Sequence, residues 1–139
     1  MKFEEKYNLR EAYADQLCKI AIKRKDFLVL DSDSKEPTKV DIFSKKFPNQ
    51  CLSFGISEQN MVSAAAGLAT LDFIPFVNSY AQFISMRALD QLRNSIAYPN
   101  MNVKIIVSHY GLDVGKDGVT HQTIEDLAIM RSIVNFVVL

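Results

Sequence analysis

The chain is 139 residues long, which at about 150 residues per domain is one domain's worth of sequence. Its 16 Lys and Arg balance 16 Asp and Glu, so neither a basic nucleic-acid footprint nor a polybasic membrane arm is expected. Hydrophobic residues make up 48%, too many for a disordered tail, and no apolar run is long enough for a transmembrane helix.

In chain order, Asn8 followed by Glu11 has the form of a helix N-cap with a capping carboxylate. Ala12, Tyr13, Leu17, Ile20 and Ala21 then recur with helical spacing to about residue 25. The run FLVL at 27–30 reads as a strand buried on both faces. Residues 31–38 are polar and predict a loop, and 40–47 predict a short helix stopped by Pro48. CLSF at 51–54 predicts a strand, Gly55 a turn, and the Ala-rich stretch 57–71 a helix. Residues 73–77 predict a strand and 80–97 a helix. VKIIV at 103–107 is the clearest strand. A glycine-bearing loop at 111–118 leads to a short helix over 124–130, and FVVL at 136–139 predicts a last strand.

Strands alternating with helices predict an α/β fold, a three-layer α/β/α arrangement with a mostly parallel sheet. Ligands in such sheets bind beyond the carboxyl ends of the strands. Segments 31–38, 55–58, 78–83 and 109–121 should therefore converge on one rim. A chain ending on an uncovered strand suggests that it was cut.

Cys18 and Cys51 form no CxxC pair and no Cys/His cluster, so no structural metal site is expected. The N-terminal segment MKFEEKYNLR lacks a hydrophobic stretch, and with two apolar-context thiols it predicts a cytoplasmic protein. Three tempting motifs fail. The stretch GLDVGKD at 111–117 is one residue short of a phosphate-binding P-loop and places Asp117 where Ser or Thr must hold magnesium. Gly55-Ile56-Ser57-Glu58-Gln59 has Gln where a nucleophile elbow needs glycine. Asp31-Ser32-Asp33 lacks the glycine and glutamate of a calcium loop.

Other signals remain. Glu58 falls in the first turn of a helix, where a carboxylate complements the helix dipole or, in a cleft, shares a proton with a bound nitrogen base. His109 and His121 lie on one post-strand segment with Asp113 and Asp117. They suit acid/base or phosphate-contact work, or a plain structural role. Tyr80 and Phe83 are either core or a stacking platform.

Together these residues resemble a family. FGISEQNMVSAAAGLA, FVNSYAQFISMRALDQLRN and DGVTHQTIEDLAIMRSI, with LREAYADQL and LDSDS before them, resemble the pyrimidine-binding domain of the transketolase group of thiamine-diphosphate enzymes. The match covers nearly the whole chain. It implies thiamine diphosphate as cofactor, with Glu58 as the cofactor-activating acid, which needs a carboxyl held in a partly desolvated site. Tyr80, Phe83 and Ile56 would contact the cofactor's pyrimidine half. His121 and Asp117 would face the substrate hydroxyls, His109 the sugar-phosphate end, and Asp33 the substrate loop, His121 also counting as catalytic.

The sequence departs from the family's pattern in four places. Tyr80 stands where the family usually has Phe, Ser34 where it has Leu, Pro37 near a phosphate-contacting serine, and Val119 where proline is common. The family's diphosphate-anchoring motif, which binds Mg2+, and its third domain are missing. The resemblance therefore implies a split transketolase acting on sugar phosphates. Its partner would be a diphosphate-binding domain or subunit, the chain would be inactive alone, and it would pair as a homodimer. Deoxyxylulose-phosphate synthase, a 2-oxoacid dehydrogenase beta subunit and a non-catalytic interaction module of this fold are the alternatives.

Overall fold

The computed structural model describes residues 8–139. Asn8 caps the first helix, α1 (Leu9–Lys23), by accepting from the Arg10 backbone N–H at 3.1 Å, while its amide donates to Glu11. Apolar β1 (Phe27–Asp31) follows. The expected loop after it folds in part into one turn of helix, α2 (Lys35–Thr38), and α3 (Val40–Lys46) stops before Pro48, which opens a 3-10 turn. Then come β2 (Cys51–Ser53), α4 (Glu58–Ala69) and β3 (Ile74–Tyr80).

The sheet is four-stranded and parallel throughout, in the order β2-β1-β3-β4, with β4 spanning Lys104–Ser108. Leu30 stands opposite Leu52 on one side and Val77 on the other, and Val77 opposite Ile105. Period-2 alternation along β1 splits the core between the two faces. Phe27 and Val29 pack with Leu17, Ala21, Val40 and Phe43 of α1 and α3. Leu30 and Val77 pack with Met61, Val62 and Ala65 of α4 and with Ile84, Leu92 and Ile96. Burying Phe27, Phe43, Leu17, Leu30 and Met61 contributes about 1.5–3 kcal/mol each. The α/β/α layering is as the sequence predicts.

Two expected elements differ. The helix over 80–97 is broken. Tyr80 ends the strand, α5 (Ala81–Arg87) stops at Ala88, α6 (Leu89–Gln91) is one turn, and Leu92–Ala97 is π-helical. Helical periodicity continues through the break, so the side-chain pattern alone does not show it. The strand expected at 136–139 does not form. After α7 (Asp126–Ser132), residues 133–139 are irregular and pair with no strand, and Val137 and Leu139 are exposed. An apolar run becomes a strand only where it lies along a neighbour that supplies hydrogen bonds; residues 133–139 do not pair with the open edge of β4, and Phe136 packs instead against the core beneath α4. No described helix is long and apolar enough to cross a membrane.

Candidate active site

The four strands run parallel, so the loops after them gather at one rim. After β2, Gly55 takes φ +67°, a left-handed turn that glycine adopts without steric cost. The Ser57 hydroxyl donates to the Phe54 carbonyl at 2.7 Å and closes this turn. Glu58 then opens α4 with only 3% of its surface exposed. A buried carboxylate needs a partner. Arg87, the last residue of α5, supplies it: Nη1 donates to Oε1 and Oε2 at 3.3 and 3.2 Å.

The guanidinium of Arg87 also sits 3.9 Å from the centroid of the Phe83 ring, one helical turn before it. From Phe83 an aromatic cluster continues along the rim. Tyr80 and Phe83 stack almost parallel at 5.4 Å, and His109 stacks on Tyr80 at 4.1 Å. His121 meets both rings edge-on, at 4.9 Å from Phe83 and 5.8 Å from Tyr80. Tyr80 is nearly enclosed, so Phe83 and the two imidazoles form its outer surface. Burial, then the Asp117 charge, pushes the Tyr80 hydroxyl up, with Arg10 opposing.

At the far end Arg10, in the first turn of α1, donates through Nη1 to the Pro37 carbonyl at 2.9 Å and approaches His109 Nε2 at 3.4 Å. A guanidinium only donates, so Nε2 accepts and the network assigns the ring proton to Nδ1, which reaches Ser108 Oγ at 2.8 Å. Burial and the nearby Arg10 charge hold the His109 pKa below the usual histidine value, partly offset by Asp117 and Asp113. His109 itself adopts φ 54°, which turns its ring back over Tyr80.

The first rim loop is organised by Asp31, the residue that opens the rejected calcium-loop motif. Asp31, fully buried, accepts from the backbone N–H groups of Asp33 and Ser34 and from the Ser34 hydroxyl, at 3.0–3.1 Å. Ser34 in place of a leucine is thus a satisfied buried hydroxyl. Asp33 is exposed on the surface of this loop. Beneath it the Tyr13 hydroxyl donates to Asn78 Oδ1 at 2.8 Å, and Asn78 Nδ2 donates to the Leu30 and Phe76 carbonyls.

Residues 5–139 match the family model described as "Transketolase, pyrimidine binding domain". The chain belongs to the transketolase pyrimidine-binding domain family. It is 44% identical over 131 residues to a Methanocaldococcus jannaschii protein named "Putative transketolase C-terminal section", covering 94% of this chain and 42% of that one. It is 39% identical to the 6-deoxy-6-sulfo-D-fructose transketolase subunit SqwH of Clostridium, covering 96% and 41%, and 38% identical to human transketolase, covering 95% and 21%. Among solved structures, "Split gene transketolase, inactive beta4 tetramer" matches with TM-score 0.77 and 44% identity over 91% of this chain and 40% of that one. The transketolase of Campylobacter jejuni matches with TM-score 0.82 and 27% identity over 91% and 20%. The chain therefore spans about two-fifths of the first relatives' length and about a fifth of the human enzyme's.

In this transketolase pyrimidine domain, the structure gathers Glu58, Phe83, Tyr80, His109 and His121 into one contiguous row, with the half-buried Asp117 acting electrostatically on Tyr80 and His109. Ile56 and Val119, each two positions before a residue of the row (Glu58 and His121), are 74% and 80% exposed, apolar side chains that their own fold leaves uncovered. Asp33 stands on the adjoining loop through its backbone bond to Asp31. Sequence reasoning missed Arg87 and Arg10. The signal for Arg87 was its spacing of four from Phe83 on a helix. No local pattern pointed to Arg10, whose partners lie 27 and 99 positions away. Among the described residues no cluster of three His, Cys, Asp or Glu is placed to hold a metal ion. Two open grooves lie away from the rim, one lined by Cys18, Ile22 and Phe47 and the other by Lys25, Pro48 and Gln50.

Proposed function

We propose that residues 1–139 form one pyrimidine-binding domain that supplies half of a thiamine-diphosphate site in a transketolase. The reaction is transfer of a two-carbon ketol unit between sugar phosphates. The observation that carries this reading is a buried carboxylate, Glu58, beside an aromatic platform and two imidazoles on one rim. Family membership and the names of the relatives support it.

The residues fit the cofactor's pyrimidine half. One Arg87 nitrogen spans both Glu58 oxygens at long distances, which leaves acceptor capacity on the carboxylate. Phe83 offers a flat apolar surface, and Ile56 an apolar side chain for the same ring. When bound, thiamine diphosphate supplies the nucleophilic carbon and the electron sink for the two-carbon transfer. Glu58 holds or shares a proton with a ring nitrogen, and its burial strengthens that hydrogen bond. His121, edge-on to Phe83, moves a proton at the substrate hydroxyls, and Asp117 and Asp33 border the substrate from their own loops.

Arg10 presents its remaining guanidinium N–H donors to the anionic end of the substrate, with His109 beside it. Mg2+ and the diphosphate are held by a diphosphate-binding domain or subunit outside these residues. These 139 residues are inactive without it. Exposed Leu112, Val119, Ile124 and Leu127 supply apolar surface for that partner and for a homodimer. Two free thiols, Cys18 and Cys51, suit a cytoplasmic protein.

A sulfonated ketose is the second reading of the substrate. The Clostridium relative carries that substrate class in its name, and a guanidinium beside an imidazole serves a sulfonate as well as a phosphate.

The test is the chain assembled with a transketolase diphosphate-binding subunit and assayed in parallel for ketol transfer, pyruvate condensation and pyruvate decarboxylation. Ketol transfer alone is expected. Glu58→Gln should lower it by about a hundredfold or more. Wild-type turnover in Glu58→Gln would leave a non-catalytic interaction module as the better account.

A further inference from the structure

Arg87 stands between the two groups assigned to the pyrimidine ring. Its Nη1 donates to both oxygens of Glu58, and its guanidinium carbon lies 3.9 Å from the Phe83 centroid. A ring bound at this place must do the same two things: lie flat against Phe83 and donate to Glu58. A guanidinium meets both demands because it is planar, delocalised and edged with N–H donors.

We propose that Arg87 is a displaceable occupant of the pyrimidine position, a side chain that the cofactor's ring replaces at both contacts. The inference rests on the reading of Glu58 and Phe83 as the pyrimidine site.

Two features make the residue suited to this. Left alone, a carboxylate as buried as Glu58 would carry a large desolvation cost, so the empty site needs a cation. The cation is nevertheless loosely held. The Arg87 side chain is 47% exposed against 3% for Glu58, and it spends one nitrogen on both oxygens instead of a two-nitrogen fork. It is also the last residue of α5, before Ala88 leaves helical geometry at φ −107° and ψ 17°. Release returns the half-exposed guanidinium to water from a helix end.

Affinity for the ring is then set by competition. The measured dissociation constant is the intrinsic one divided by the fraction of molecules in which Arg87 has vacated the site. An ion pair exposed at its Arg87 end, with a cation–π contact, amounts to at least about a tenfold effect.

The experiment is calorimetric titration of thiamine diphosphate with Mg2+ into the chain assembled with a diphosphate-binding subunit, comparing wild type, Arg87→Met, Arg87→Lys and Glu58→Gln. Arg87→Met should bind about tenfold more tightly and Arg87→Lys in between. Glu58→Gln should bind more weakly than wild type. If Glu58→Gln weakens binding while Arg87→Met binds no more tightly than wild type, displacement is refuted and the pyrimidine site stands. If Glu58→Gln binds as wild type does, the site reading itself fails and the displacement with it. Should Arg87→Met not fold, Arg87→Lys decides alone, and equal affinity to wild type overturns the proposal.

Discussion

Removing Arg87 from the free chain tests the Glu58–Arg87 contact without any ligand. In Arg87→Met a carboxylate 3% exposed loses the cation that both its oxygens share. Breaking a fully buried pair costs about 3–5 kcal/mol, whereas exposed pairs contribute about 0–1 kcal/mol. This pair is buried at one end and half-exposed at the other, with contacts of 3.2 and 3.3 Å, so about 2 kcal/mol is expected between those limits. With an unfolding entropy of about 2.1 cal/mol/K per residue, that lowers Tm by about 7 °C. In urea the midpoint should fall by about 1 M, with an unchanged slope.

The double variant with Glu58→Gln carries no buried charge and should lose less than the two single losses added together. A coupling of about 1 kcal/mol is expected from the cycle. Arg87→Met within about 0.3 kcal/mol of wild type, or a cycle that closes at zero coupling, would refute the contact as described.

Further outcomes are expected elsewhere. Tyr13→Phe removes the 2.8 Å bond to Asn78 Oδ1 beneath the rim and should cost about 1–2 kcal/mol in urea unfolding, because Asn78 is buried and loses its acceptor's partner. His109 binds fewer protons folded than unfolded, so its contribution to stability should diminish as pH falls through the ordinary histidine range near 6.5. In an NMR titration its pKa should lie below the usual value and rise on adding inorganic phosphate; a value unmoved by phosphate would refute Arg10 and His109 as an anion site. His121→Ala should lower ketol transfer in the assembled enzyme by about a hundredfold and leave Tm nearly unchanged. A large Tm loss with normal turnover would make His121 a packing residue.

Much of the fold is local in origin and could be read from the chain. The Asn8 cap, the apolar FLVL strand, Pro48 as a helix stop and Gly55 as a turn are decided by residues next to one another. The ordered motifs likewise brought out Glu58, Phe83, His109 and His121, which the structure gathers on one rim. What misled was also local. The segment 80–97 keeps helical spacing through a real break, and FVVL at 136–139 has strand composition without a strand beside it.

Short-range patterns thus account for the parallel α/β architecture and for the residue types that carry the proposed chemistry. What those residues touch is set by long-range packing. It sets Arg87 on Glu58 across 29 positions, Tyr13 on Asn78 across 65, and Arg10 against His109 across 99. The reason is physical: caps and turns are settled within a few residues, whereas a buried carboxylate takes whichever cation the packed helices bring to it.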